Sequence, residues 1–274
     1  MKNIILFGYG KMGSSIAKAW MLKKLNFNFF VIEKVSSLRK VASDDGFKAF
    51  ENINKLNELV EIKSGDIFFL AVKPQQMKET IDSFLKFNTN NILFISIAAG
   101  LSLSWFQSQI GRNIKMVRTM PNLPASIGFG ITAYSKTNNL SENDVENTND
   151  LLRAFGKVIY LSSEDLMDVV TAISGSGPAY IFYLVEVLSK IGKENGLQEQ
   201  DARTLALETL IGSSRLLEAS KIDAEKLKKN VTSPGGTTEA GLEILESMET
   251  GLYPLLNSTI KNAKKRALAL NKSG

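Results

Sequence analysis

Gly8-Tyr9-Gly10-Lys11-Met12-Gly13 follows directly on the apolar run of residues 4–7 and leads into a helical pattern over residues 14–24. A strand feeding a helix through three glycines at this spacing leaves few folds open. The first glycine permits a tight turn, the second lets a ligand approach bare backbone, and the third lets the helix pack close to the strand. This is the opening unit of a dinucleotide-binding sheet. A second apolar run, residues 29–32, ends at Glu33, about twenty residues beyond Gly13. A carboxylate there accepts hydrogen bonds from adenosine ribose hydroxyls and repels a 2′-phosphate, which favours NADH over NADPH. Lys34 and Arg39 lie close enough in sequence to act in the opposite sense, as attractors of a phosphate.

Further apolar runs occur at residues 67–72, 92–97, 115–118, 131–134 and 158–161, with helical patterns between many of them, such as residues 75–85. Runs without clean alternation belong to strands buried on both faces, so a parallel sheet with helices outside is expected. After residue 161 the patterns are helical. The expected fold is α/β, a Rossmann-type doubly wound sheet over residues 1–161 followed by an all-α dimerisation and substrate domain over residues 162–274. Pro178 suits the first turn of a long helix over residues 178–195, Gly196 its C-terminal cap, and Gly251 separates the last two helices. That helix and the next, residues 200–219, are apolar around much of their circumference, with Ile181, Phe182, Leu184, Leu205 and Leu210 among the contributors. A domain of this size cannot bury so much apolar surface alone, so a homodimer or a larger assembly of dimers is expected.

Composition narrows the chemistry. The chain has no cysteine and no histidine, which excludes disulfides, a cysteine nucleophile, zinc held by His or Cys, and a Ser-His-Asp mechanism. No metal is expected. Its 33 basic and 28 acidic residues give a net charge of +5, but the lysines are scattered through helical patterns, so no nucleic-acid partner is expected. The densest group, Lys261, Lys264, Lys265 and Arg266, has the spacing of a solvated helix face. No apolar stretch reaches the length of a membrane span, and the run at residues 4–7 is interrupted at Gly8, too short for a signal sequence. The expectation is a cytoplasmic protein with no membrane partner.

Residues 231–245 read V-T-S-P-G-G-T-T-E-A-G-L-E-I-L. Pro234, Gly235 and Gly236 force a turn, and the spacing of Leu242 and Leu245 marks a helix directly after it. Free N–H groups and the dipole at the helix start make a carboxylate cradle with Thr237 and Thr238 at its mouth. The same residues also read as an ordinary helix start with Thr237 or Thr238 as N-cap.

S-P-G-G-T-T followed by a short helix resembles the C-terminal signature of the pyrroline-5-carboxylate reductases, which make proline by reducing a cyclic imine with NAD(P)H. Ala71-Val72-Lys73-Pro74, Ser96-Ile97-Ala98-Ala99-Gly100, Met120-Pro121-Asn122 and Ser174-Gly175-Ser176-Gly177-Pro178-Ala179-Tyr180 are similar to strings of the same family. The resemblance implies that Ala71, Val72, Lys73, Pro74, Ala98 and Ala99 belong to the cofactor site with the glycine loop, that Asn57 contacts the ribose, and that Asn230 reaches the cofactor from the helical domain. It further implies that Glu164 contacts substrate, that Ser233, Gly235, Gly236, Thr237 and Thr238 hold it, and that Thr238 is the catalytic hydroxyl at the ring nitrogen. The active site would lie where the domains meet, across subunits. Glu33 departs from the small polar residue often found there in the family.

The missing histidine also bears on the reaction. A 2-hydroxy-acid dehydrogenase needs a general acid near neutral pKa to protonate the forming alkoxide. An imine nitrogen can be protonated before hydride arrives, so hydroxyls and backbone suffice. A beta-hydroxyacid dehydrogenase or a related imine reductase is the alternative enzyme, but the catalytic lysine expected in the former, in the helix after Gly175-Ser176-Gly177, is replaced by Ile181. A non-catalytic dinucleotide-binding protein would keep the glycine loop without needing Ser233 to Thr238.

Overall fold

A computed structural model describes residues 1–273, with side chains through residue 269. The first part alternates β1 (Asn3–Phe7), α1 (Lys11–Leu22), β2 (Asn28–Ile32), α2 (Ser36–Asp44), β3 (Lys48–Phe50), α3 (Ile53–Asn57), β4 (Ile67–Leu70), α4 (Pro74–Phe84), β5 (Leu93–Ser96), α5 (Leu103–Ile110) and β6 (Lys115–Met120). It continues through β7 (Gly130–Lys136), α6 (Glu142–Arg153), β8 (Gly156–Tyr160) and the short α7 (Met167–Val170). Then come α8 (Gly177–Glu194), α9 (Glu199–Ser220), α10 (Ala224–Asn230), α11 (Thr237–Leu245) and α12 (Leu252–Ser273).

The central strands are apolar throughout because both of their faces are covered. In β1, Ile4 and Leu6 enter one core with α1, while Ile5 and Phe7 enter another with α4. β4 divides in the same way, Ile67 and Phe69 against Phe68 and Leu70. A period of two thus hides inside an unbroken apolar run. The eight strands lie in the order β3-β2-β1-β4-β5-β6-β7-β8. The order reverses between β1 and β4, which opens a crevice beyond their carboxyl ends, where ligands of doubly wound sheets bind.

The sheet is not wholly parallel. β7 runs antiparallel to β6, and β8 pairs parallel to β7. The connection between β6 and β7, residues 121–129, holds only the 3-10 turn Leu123–Ile127, and a parallel return needs a crossover of a dozen or more residues. The short strand β3 is also absent from the apolar runs, because it has only three residues and begins with Lys48.

Two compact units emerge: residues 1–175 with the end of α12 from Ala263, and residues 176–262. The boundary expected after residue 161 marks the end of the sheet, whereas the first unit continues through α7 and the π turn Thr171–Gly175. In the second unit Pro178 stands in the first turn of α8, and Gly196, at φ +98°, follows its C-cap. α8 buries none of its residues in the single chain: Phe182 is 58% and Tyr183 64% exposed. Among the described residues no helix is long and apolar enough to cross a membrane.

Candidate functional site

Each glycine of the first turn meets a different steric demand. Gly8 lies at φ +95°, and a Cβ there would stand 2.9 Å from the Ala71 carbonyl oxygen. A Cβ on Gly13 would sit 2.2 Å from the Gly8 carbonyl oxygen, whereas one on Gly10 would meet nothing within 4 Å. Gly8 and Gly13 are therefore required by the protein itself, and Gly10 keeps space open in front of the helix. Gly10 is also the N-cap of α1, with no side-chain hydrogen bond. The first-turn N–H groups of α1 have no intrahelical acceptor and, with the helix dipole, face that space as an anion site.

Glu33, 9% exposed, lies just after β2. Its Oε2 accepts the Tyr9 N–H at 2.7 Å and its Oε1 the Val35 N–H at 2.9 Å. The carboxylate thus clamps the glycine turn to the end of β2 and keeps lone pairs for a further donor. Together they bound a cavity of about 280 Å³, whose lining includes Gly8, Gly10, Glu33, Ala71, Val72 and Lys73. Open backbone at Gly10, unpaired helix-start donors and a buried carboxylate at the far end suit a dinucleotide. Two cations close to Glu33 in sequence are engaged: Arg39 Nη1 donates to the carbonyls of Glu33 and Lys34, and Lys34 pairs with Glu79.

Other expected cofactor residues fall outside this cavity. The Tyr9 side chain is turned into the core, stacks at a tilt on Phe47, and donates its hydroxyl to Asp45 at 2.8 Å. Burial, then the hydrogen bond and charge of Asp45, pushes its pKa up, while the Lys18 ammonium 3.0 Å from Asp45 holds that carboxyl below its usual value. Met12 packs against the core, Lys11 is exposed, and Pro74 opens α4. The Ala98 N–H is taken by Ser96 Oγ, and Ala99 follows it outside the cavity lining. Asn57 is exposed at the end of α3; the asparagine that lines the cavity is Asn52, the N-cap of the same helix. A second Asn five positions earlier was the overlooked signal.

Glu164 opens a 3-10 turn beyond the sheet. Its Oε1 accepts from Arg118 Nη1 at 2.7 Å and from the Leu103 N–H at 2.8 Å. The Arg118 side chain is 5% exposed and that of Glu164 25%, so the expected substrate contact is first a partner for a buried cation. A single arginine inside the strand K-M-V-R-T-M was the signal for this pair, which motif reading missed. Nearby, Asn122 Oδ1 accepts the Ile131 N–H, tying the loop after β6 to β7. Gly175 packs under Met120, where a Cβ would lie 2.6 Å from Met120 Cε. The π turn containing Ser174 leaves that hydroxyl buried and without a partner among the described residues.

The second unit carries the other motif. Gly235 lies at φ +70°, as the turn after Pro234 requires. Gly236 is the N-cap of α11 and no side chain caps that helix, so neither Thr237 nor Thr238 is the N-cap. Both are exposed in its first turn. The cradle is narrower than residues 235–238: the Gly235 N–H is taken by Glu239 Oε2 at 2.7 Å, and the Gly236 N–H by the Ser233 carbonyl at 3.0 Å. The N–H groups of Thr237 and Thr238 remain for a ligand, since the first turn of a helix has no acceptor for them. Asn230 ends α10, exposed.

Residues 164–270 match the family model described as pyrroline-5-carboxylate reductase dimerisation, and residues 3–100 that of NADP oxidoreductase coenzyme F420-dependent. A pyrroline-5-carboxylate reductase of Aquifex aeolicus is 31% identical over 262 residues, covering 95% of this chain and 96% of that protein. The solved pyrroline-5-carboxylate reductase of Coxiella burnetii superposes with a TM-score of 0.89 at 29% identity, over 98% of both chains. The pyrroline carboxylate reductase of Plasmodium falciparum, solved with NADP bound, does so with a TM-score of 0.81 at 27% identity, again over 98% of both.

Proposed function

The chain belongs to the pyrroline-5-carboxylate reductase family, and on that premise we propose that it reduces 1-pyrroline-5-carboxylate to L-proline with NAD(P)H, the last step of proline biosynthesis. The observation that carries this reading is the pairing of two anion sites on one chain. One is the glycine turn and buried Glu33 of the first unit, the other the Gly236-capped start of α11 with Thr237 and Thr238. A protein that only bound a dinucleotide would have use for the first alone.

When bound, the reduced nicotinamide supplies a hydride. The protein's own contributions follow from its donors. First-turn N–H groups of α1 hold the pyrophosphate and Glu33 the adenosine ribose. The N–H groups of Thr237 and Thr238 hold the substrate carboxylate, worth about 0.3 to 1 kcal/mol from the dipole at an exposed site and up to about 2 where sheltered. The Thr238 hydroxyl hydrogen-bonds the ring nitrogen. With the nitrogen protonated from solvent, an imine carbon held there would accept the hydride as the C=N π pair moves to nitrogen, giving the secondary amine. No alkoxide forms, so a chain without histidine suffices for the chemistry. The Glu33 carboxylate favours NADH, and the site works without a metal in a cytoplasmic enzyme.

Purified protein should oxidise NADH in the presence of the five-membered imine acid, with proline as product. Absence of NADH or NADPH oxidation with that imine would remove this reading. The exposed apolar faces of α8 and α12, which include Phe182, Tyr183, Tyr253 and Leu255, carry a second expectation. Sedimentation equilibrium should give a dimer or a larger assembly of dimers at assay concentration; an active, well-folded monomer would refute it.

A further inference from the structure

Glu239 has no part in the reaction as written, yet its side chain is built into the loop that the proposed function assigns to the substrate carboxylate. Its Oε2 accepts the Gly235 N–H at 2.7 Å, across the turn from the first turn of α11. Gly235 is left-handed, at φ +70°, so its peptide N–H turns towards the helix and needs an acceptor there. The rest of the loop is braced by other means. Lys228 pairs with Glu246, joining α10 to α11, Thr232 Oγ1 donates to the Lys228 carbonyl at 2.7 Å, and the Gly236 N–H is held by Ser233. Glu239 alone among these contacts holds the peptide between Pro234 and Gly235.

We propose that Glu239 is a positioning residue for the substrate carboxylate. By holding the Gly235 N–H it fixes the turn of residues 233–236. That keeps the N–H groups of Thr237 and Thr238 free and aimed outward. A carboxylate of the protein takes the Gly235 N–H, the Ser233 carbonyl takes that of Gly236, and the ligand's carboxylate takes those of Thr237 and Thr238. Removing the Glu239 acceptor would let the Gly235 peptide rotate and would cost binding of the acid without touching the cofactor or the hydride step. The residue thus governs recognition of anionic substrates, and its effect should vanish for ligands that lack the acid.

This proposal rests on the reading of the loop as a carboxylate site, and the test separates the two. Steady-state kinetics on Glu239→Ala should show KM for the imine acid raised about tenfold, with kcat and the KM for NADH within about twofold of wild type. Glu239→Gln, which keeps an acceptor oxygen, should restore KM to within about threefold. Titration of L-proline should weaken in Glu239→Ala, while that of pyrrolidine, which lacks the carboxylate, should not change. A role confined to helix stability would instead lower melting temperature in both variants with KM unmoved, and would overturn the proposal. So would a lower KM in Glu239→Ala, which would make Glu239 a competitor for the site, or equal losses in the two variants. Wild-type protein inactive on the imine acid would defeat the proposed function and this proposal with it; an active wild type with unchanged Glu239→Ala would defeat this proposal alone.

Discussion

Thr238→Ala is expected to lower turnover of the imine acid roughly ten- to a hundredfold while leaving NADH affinity close to wild type. The magnitude is that of one hydrogen bond to a charged or charging group, about 1.5 to 3 kcal/mol, read through the rate equation. The structure sharpens the expectation, because the competing account of this residue was helix capping. Gly236 holds that position and no side chain caps α11, so losing the Thr238 hydroxyl removes no cap. Alanine is also the better helix former at an exposed first-turn position. Melting temperature should therefore hold or rise slightly, where a lost cap would cost about 1 kcal/mol. Thr238→Ser should retain much of the activity, since the hydroxyl can still reach the ring nitrogen. An alanine variant with wild-type turnover would remove Thr238 from the mechanism, whatever its stability.

What the sequence disclosed divides along physical lines. Chain-local demands were legible: the three glycines, Pro178 in a first helical turn, and apolar strands whose two faces both need cover. So was the surplus of apolar surface on α8, because it follows from counting side chains against the size of the domain. Choices made through space were not legible. The reversal at β7 depends on the length of one connection, which the apolar pattern of the strand does not record. Asn52 and Asn57 differ by little more than one helical turn, and only the fold decides which faces the crevice. Glu164 carried a motif but not the identity of its partner, which lies on a different strand. The signature loop disclosed its donors without saying that two of them were already used by Glu239 and Ser233.

Glu33 offers the most direct test of the cofactor site. Catalytic efficiency is expected to be about tenfold or more higher with NADH than with NADPH, each tenfold corresponding to about 1.4 kcal/mol. Repulsion of a 2′-phosphate by a mostly buried carboxylate supplies that order of energy, and the two cations closest to Glu33 in sequence are already engaged. Arg39 is held by two backbone carbonyls, and Lys34 would have to leave Glu79. Glu33→Ser should narrow or reverse the gap, but through two effects. It removes the repulsion of the phosphate, and it also deprives the Tyr9 and Val35 N–H groups of their acceptor. The Tyr9 N–H belongs to the turn itself, so its loss of a partner, about 1 to 3 kcal/mol, weakens the platform for both cofactors. Efficiency with NADH should therefore fall by roughly tenfold or more, while that with NADPH stays level or rises by less. Glu33→Gln separates the effects, since the amide removes the charge and keeps one acceptor. It should gain more with NADPH than Glu33→Ser does and lose less with NADH. A wild-type preference for NADPH would show that the carboxylate acts on the turn alone, and that the ribose hydroxyls are read elsewhere.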